Sequence, residues 1–303
     1  MKKVKFEADL HNHTTASDGM YTPAELVQKA NDMGIQVLGI TDHDTIEGLQ
    51  DALNAASQTD VEILPGMEIT VRFREEFFVG SLHLLAYFSE ELLNCDEFTN
   101  ETLSVLSLGR GAELTRLRIE AINENFAPKS KTPLMPRELT ANDVYRHGKR
   151  ISRRHFALAL NDMGVNRKET ISQIIGNDSL AYVPSGSELH ILQNYLVKWP
   201  LVLVLAHPAA GSYPGDNFYK EVLPPFGIVD RLFHRFLKVG LSGLEIEYPG
   251  HTTEWKQTLR EYLAAHSLLL ETGGSDCHDE TNRPLGVTGV GMDVVERIRS
   301  MLI

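Results

Sequence analysis

Short apolar runs in this chain repeatedly lead into a residue able to bind a cation, and that coupling narrows the fold more than any other feature. Gln36 to Thr41 runs into Asp42-His43-Asp44, Val61 to Leu64 leads to Glu68, Leu201 to Ala206 is followed at once by His207, and Leu268 to Thr272 precedes Asp276 and His278. A barrel or open α/β sheet collects side chains from successive carboxyl strand ends at one mouth. Near the amino terminus, His11 and His13 flank Asn12 on an extended segment, where the period of two sends both imidazoles to one side. His83 differs, because it falls inside its apolar run beside Leu82, Leu84 and Leu85, where a buried neutral histidine is the simpler reading.

The alternation of short strands with helical patterns marks an α/β fold. Strands are expected over Val4 to Leu10, Gln36 to Thr41, Val61 to Val71, Leu82 to Phe88, Leu201 to Ala206, Gly243 to Glu247 and Leu268 to Thr272. Thr22-Pro23-Ala24-Glu25 is a capping box with proline at the first helical position, and Gly34 closes the helix that follows. Further helices are expected near Thr45 to Ser57, Val229 to Val239 and Thr253 to His266. The rhythm stops near residue 90 and resumes at Leu201. In between come a helix from about Glu101 to Asn125, a proline-bearing loop from Pro128 to Pro136, and shorter helices near Phe156 to Met163 and Glu169 to Ile175. The expected organisation is a discontinuous barrel domain over residues 1–100 and 185–303, with an inserted helical subdomain over 101–184.

Charge and composition exclude several functions. The formal charge of −12 argues against an extended footprint on long nucleic acid, which takes clustered Lys and Arg, but leaves room for a small anionic substrate. The longest apolar run, Leu201 to Ala206, is far short of the roughly 20 residues a membrane-spanning helix needs. Two cysteines and an acidic residue where a signal peptide would be apolar suit a reducing compartment, so a cytoplasmic location is expected.

Imidazoles mixed with carboxylates suit Mn, Fe or Zn, whereas Mg and Ca prefer oxygen alone. Six histidines and several acids fit two or three divalent ions. Gathering those carboxylates without cations would be repulsive and costly to bury.

The blocks Asp9-Leu10-His11-Asn12-His13 through Gly19, Thr41-Asp42-His43-Asp44-Thr45, Pro65-Gly66-Met67-Glu68, His83, Ala206-His207-Pro208 and Gly274-Ser275-Asp276-Cys277-His278 resemble the PHP (polymerase and histidinol phosphatase) phosphoesterases. The resemblance implies a distorted (β/α)7 barrel with a trinuclear centre at its mouth. It assigns His11, His13, Glu68 and Asp276 to one ion, Glu68, His83 and His207 to a second, and Asp18, His43 and His278 to a third. Asp42 ranks below these nine. Many PHP proteins carry His at the position of Asp18, so the third site would be weaker or select a different metal.

His13 through Gly19 and Ser152-Arg153-Arg154-His155-Phe156-Ala157 further resemble the branch acting on nucleotide phosphates, 3′,5′-nucleoside bisphosphate phosphatases with some 5′→3′ exoribonuclease relatives. This implies that Arg153 and His155 meet the substrate phosphate. The residues argue separately that Arg146, Lys149, Arg150, Arg153 and Arg154 form a cationic patch suited to phosphate, although a solvated basic face is the plainer alternative. His251 is expected near the substrate, Glu245 and Glu247 read equally well as structural carboxylates, Cys277 reads as a buried apolar filler, and Phe73, Phe77 and Phe78 are more at home in packing than stacked on a base.

The expected activity is hydrolysis of phosphomonoesters of small nucleotides, AMP or a 3′,5′-bisphosphate, through a metal-bound hydroxide, with a proton for the leaving oxygen from His155 or His251. The alternatives are a 5′→3′ exoribonuclease on short RNA, a phosphatase of the histidinol phosphate kind and, in a different class, a non-catalytic nucleotide sensor.

Overall fold

A computed structural model describes residues 4–148, 151, 153–176, 178–212 and 223–302. Two compact units are present, Met1–Leu106 with Gly186–Ile303, and Ser107–Ser185. Among the described residues, the first holds eight strands: β1 (Ala8–Asp9), β2 (Val37–Ile40), β3 (Glu62–Glu75), β4 (Phe78–Tyr87), β5 (Ser187–Glu188), β6 (Val202–Leu205), β7 (Leu241–Glu247) and β8 (Leu270–Gly273). Seven of them form one nearly closed sheet in the order β1-β2-β3-β4-β6-β7-β8, with β5 pairing separately on β3. The fold is the PHP-like (β/α)7 barrel. Its last gap is bridged where the N–H of Leu10 donates to the carbonyl of Gly273 at 3.2 Å. A Cβ on Gly274 would stand 2.3 Å from the backbone nitrogen of His11, so only glycine lets the two segments come this close.

The period-two pattern decides what each sheet face does. Leu64, Leu85, Tyr87, Val202, Val204 and Leu270 form an apolar cluster on one face. Met67, Ile69, Leu84, Ala86, Leu203, Leu205, Leu244 and Ile246 pack on the other, against the surrounding helices. Those helices are α1 (Pro23–Met33), α2 (Leu49–Ala56), α3 (Asp96–Ser107) and, later in the chain, the elements after residue 186. Glu68 and His83 continue the first face, where Glu68 pairs with Leu85 and Thr70 with His83. The interior therefore changes from apolar to polar along its length.

One strand breaks the parallel pattern. β4 is antiparallel to both β3 and β6. Its residues run from the polar end of the barrel inward, so His83 reaches that end from mid-strand, opposite Thr70 and close to Glu68 of β3, while His43, His207, Asp276 and His278 follow strand ends.

The second unit contains α4 (Gly111–Phe126), α5 (Ala141–Tyr145), α6 (Arg153–Asp162) and α7 (Lys168–Ile175), with Ile119, Ile122, Phe126, Phe156, Leu160 and Ile174 in its own core. The single helix expected from Glu101 to Asn125 is two helices, α3 and α4. Gly111 takes a left-handed φ of 61°, which ends helical continuity, and α3 buries Phe98 and Leu106 in the core of the first unit. The remaining helices are α8 (Leu189–Lys198), α9 (Phe226–Leu237), α10 (Thr253–Ala265) and α11 (Met292–Met301). α1 has the capping box read from sequence: the Thr22 hydroxyl accepts from the N–H of Glu25, and the Glu25 carboxylate accepts from the N–H of Thr22. No helix among the described residues is long and apolar enough to cross a membrane.

Candidate metal centre

All nine residues that the resemblance assigns to metal converge in the first unit, drawn from segments as far apart as His11 and His278. Ligand-capable atoms gather in three overlapping groups: His11, His13, Glu68 and Asp276; His43, Glu68 and His83; and His13, Asp18, His43 and His278. His207 joins through Nε2, 3.2 Å from Oε1 of Glu68.

Glu68 is the hub. Its Oε2 lies 3.1 Å from Nε2 of His11, 3.1 Å from Nε2 of His13 and 3.2 Å from Nδ1 of His43, and its Oε1 lies 2.9 Å from Nδ1 of His83. Asp276 Oδ1 stands 3.1 Å from Nε2 of His13. Yet Oε2 of Glu68 has no hydrogen-bond partner and is fully buried, as is Nδ1 of His83. Donor atoms that close without hydrogen-bond geometry are what shared coordination requires: ligands at about 2.0–2.2 Å from one ion lie roughly 3–3.5 Å from each other. The Nε2 atoms of His11 and His13 approach to 3.2 Å, a spacing that two ligands of one cation would also take.

The electrostatics agree. Burial works against charge on His11, but Glu245, Glu68 and Asp276 overcome it and raise its pKa well above the usual range. Burial likewise opposes charge on His13, and Asp276 and Glu68 still lift it to about 10. The carboxylates thus demand positive charge at the centre of the cluster, and the donor set fits a divalent ion.

Backbone strain concentrates here too. Asp44, His207 and Asp276 have φ of 50°, 32° and 51°, in the left-handed region that non-glycine residues rarely adopt. Each such residue costs on the order of 1–3 kcal/mol and persists only where its surroundings hold it. The Asp44 carboxylate accepts from the N–H of Thr70 at 2.8 Å, and the N–H of His207 donates to Glu245 Oε2 at 2.8 Å.

Glu245 is the residue that sequence reasoning undervalued. It is fully buried, and its Oε1 accepts from Nδ1–H of His11 at 2.9 Å while Oε2 holds the His207 backbone. That fixes the His11 tautomer and leaves Nε2 directed at Glu68 and Asp276, the carboxylate–histidine pairing that orients metal ligands. The available signal was its position on β7, next to the ligand-bearing strands. Glu247, two residues on, is instead tied up by Lys256 and Arg260. Asp42 accepts from both the N–H and the hydroxyl of Thr14 at 2.7 Å, anchoring the loop after His13. Tyr248 and Arg283 both donate to Asp276 Oδ2, at 3.2 and 3.1 Å.

His251 is held by backbone on both sides of its ring. Its Nε2 accepts from the N–H of Ala209 at 3.2 Å and its Nδ1–H donates to the carbonyl of Ile246 at 3.1 Å, so both ring nitrogens are committed to backbone. Burial pushes its pKa down to about 4. It braces the segment after His207.

Arg153 and His155 belong to the second unit, on the first turn of α6. Of the cationic patch, Lys149 and Arg150, like Ser152 of the neighbouring motif, lie outside the described residues, and Arg146 is paired with Asp143 and Asp162 at 3.4 Å each. Cys277 is buried, and Phe73 lies in the core with Phe77 and Phe78 packed against it.

The PHP domain model matches residues 9–161. The chain belongs to the PHP domain family. It is 26% identical to a 5′-3′ exoribonuclease of Haemophilus influenzae over 273 residues, 89% of each chain. It is 25% identical to a 3′,5′-nucleoside bisphosphate phosphatase of Chromobacterium violaceum over 285 residues, 92% of this chain and 90% of that one. A crystal structure of a metal-dependent phosphoesterase from Bifidobacterium adolescentis superposes with a TM-score of 0.66 at 28% identity, covering 100% of this chain and 98% of the other. This PHP protein is a metal-dependent phosphoesterase, a hydrolase acting on phosphoester bonds.

Proposed function

We propose that this PHP protein is a phosphatase for small nucleotides, removing a phosphomonoester group from AMP or a 3′,5′-bisphosphate. The observation that carries the reading is the convergence of His11, His13, Asp18, His43, His83, His207, Asp276 and His278 around the carboxylate of Glu68. Two or three divalent ions, Mn, Fe or Zn by the chemistry of the donors, would supply charge neutralisation of the phosphate and activation of water at neutral pH.

The chain's own groups do the rest. Glu245 sets the tautomer of His11, Asp42 anchors the loop carrying His13 to Asp18, and His251 braces the segment after His207. Arg153 and His155 are assigned to the substrate phosphate, with His155 as the remaining candidate to protonate the leaving oxygen. The helical unit would then act in substrate recognition. A second reading, 5′→3′ removal of nucleotides from short RNA, is favoured by the likeness to the Haemophilus influenzae exoribonuclease over most of both chains.

Phosphate release from AMP, adenosine 3′,5′-bisphosphate and 5′-phosphorylated triribonucleotides, with Mn²⁺ and with chelator, tests both alongside elemental analysis. Chelator-sensitive turnover of the mononucleotides supports the first reading. Turnover of RNA alone, with affinity falling steeply in salt, replaces it with the second. Indifference to chelator defeats both.

A further inference from the structure

Asp9 ends β1 and is fully buried, yet it stands outside the three ligand groups. A carboxylate taken out of water is costly unless its oxygens are filled, so the donors it gathers define its role. Its Oδ1 accepts from the N–H of Ser275 at 2.8 Å and from Nδ2–H of Asn12 at 3.1 Å. Its Oδ2 accepts from the Ser275 hydroxyl at 2.6 Å and from the N–H of Gly286 at 3.2 Å. The Ser275 oxygen in turn accepts from the N–H of Val287 at 2.9 Å. One side chain thus joins the strand leading into His11 and His13, the turn carrying Asp276 and His278, and the return segment at 286–287. Placement is hardest to hold in that turn, because Asp276 has a left-handed backbone with φ of 51°, which persists only where its surroundings fix it. Asp9 grips the preceding residue through both its N–H and its hydroxyl, and the N–H of His13 donates to the carbonyl of Cys277 at 2.9 Å. This register brings Oδ1 of Asp276 to 3.5 Å from Nε2 of His11 and 3.1 Å from Nε2 of His13.

We propose that Asp9 is a positioning residue for the metal centre. Acting through Ser275, it holds Asp276 ready for ligation in the metal-free chain, and so sets the affinity for the ion shared by His11, His13, Glu68 and Asp276. The inference rests on the reading of those four residues as ligands, and adds to it the buried clamp that keeps the first and last of them in register. Asn12 extends the clamp to β2, its Nδ2–H donating to the carbonyl of Gly39 at 3.2 Å and its N–H to the Thr41 hydroxyl oxygen at 3.1 Å. Asp9→Asn keeps the volume of the side chain and breaks the clamp, because whichever way the amide turns its NH₂ faces donors that the carboxylate satisfied.

The test uses full-length wild type, Asp9→Asn, Ser275→Ala and Val204→Ala, each stripped of metal. Each is titrated with Mn²⁺ and with Zn²⁺ against a fluorescent chelator, and hydrogen exchange of the 275–278 amides is measured relative to those of β3 in the metal-free proteins. Val204 lies in the apolar cluster of the barrel, so its truncation lowers stability without touching the clamp. Asp9→Asn should weaken the tightest ion about 10–100-fold and speed the relative exchange at 275–278 about tenfold or more. Ser275→Ala, which removes one hydroxyl, should do both by about threefold or more, and gives the answer if the asparagine variant does not fold. Val204→Ala should leave both within about twofold of wild type. Affinity within twofold of wild type in Ser275→Ala and in any folded Asp9→Asn overturns the proposal, as does a loss of affinity that Val204→Ala reproduces in full. A wild-type chain that takes up neither ion defeats the reading of the ligands themselves, and the proposal falls with it.

Discussion

The candidate metal centre and the core of the helical unit are built by opposite strategies. Ligands of the first come from residues 11 to 278 and are held by buried carboxylates, backbone strain and strand register, so almost every group is fixed from several directions. The core of the second comes from residues 119 to 181, on helices and connections close together in the chain, where apolar packing holds each element. Ion ligation depends on sub-ångström placement and draws on the sheet, whereas the helical unit has a core of its own whose packing can be altered locally. The two regions should therefore respond very differently to substitution.

The largest effect is expected at the hub. Glu68→Ala should lower bound metal by at least one ion per chain and reduce phosphatase activity by about a thousandfold, since the shared ligand of two groups is gone. Full metal content at an undiminished rate would break the assignment. Glu245→Ala should weaken metal affinity about 10–100-fold, measured by competition with a fluorescent chelator, because His11 loses its orienting partner. An affinity equal to wild type would reduce Glu245 to packing.

In the helical unit the expected loss is of stability, with metal retained. Phe156→Ala removes a buried ring from that unit's core and should destabilise it by about 3–5 kcal/mol in urea unfolding, with ion content unchanged. Loss of metal along with the helices would mean that the two regions are not separable in this way.

The smallest effect concerns Asp143. Arg137 donates to both its oxygens, at 2.7 and 2.8 Å, and with the Thr140 cap holds the carboxyl below the usual carboxylate range against burial. A depressed folded pKa contributes stability above the unfolded value near 4 and loses it as pH falls through the folded value. Asp143→Asn should thus cost about 1 kcal/mol at pH 7, and the deficit should shrink as pH drops below about 4. A deficit independent of pH would point to packing in place of charge.

Much of the site was legible because strands alternate and ligands follow their ends: His43, His207, Asp276 and His278 could be placed from apolar runs alone. His83 could not, because the hairpin joining β3 and β4 reverses the direction from which the residue arrives, and no local pattern announces an antiparallel strand in a βα series. Its reading came from resemblance. Glu245 and Glu247 are indistinguishable in sequence, and what separates them is that Glu247 has Lys256 and Arg260 within reach. His251 follows a strand as the ligand candidates do, and its hydrogen bonds to Ala209 and Ile246 are long-range or loop contacts that no local pattern announces. Helices α8 and α11 and the break at Gly111 went unread for a related reason, since tertiary burial and one left-handed dihedral decide them.

The join between Leu10 and Gly273 has a further consequence, for biosynthesis. The histidine pair at 11 and 13 is translated long before its carboxylate and imidazole partners at 276 and 278. A nascent chain therefore offers cations only fragments of a coordination shell, and the stability conferred by metal uptake arrives as a final ratchet once the last barrel strand has closed against the first.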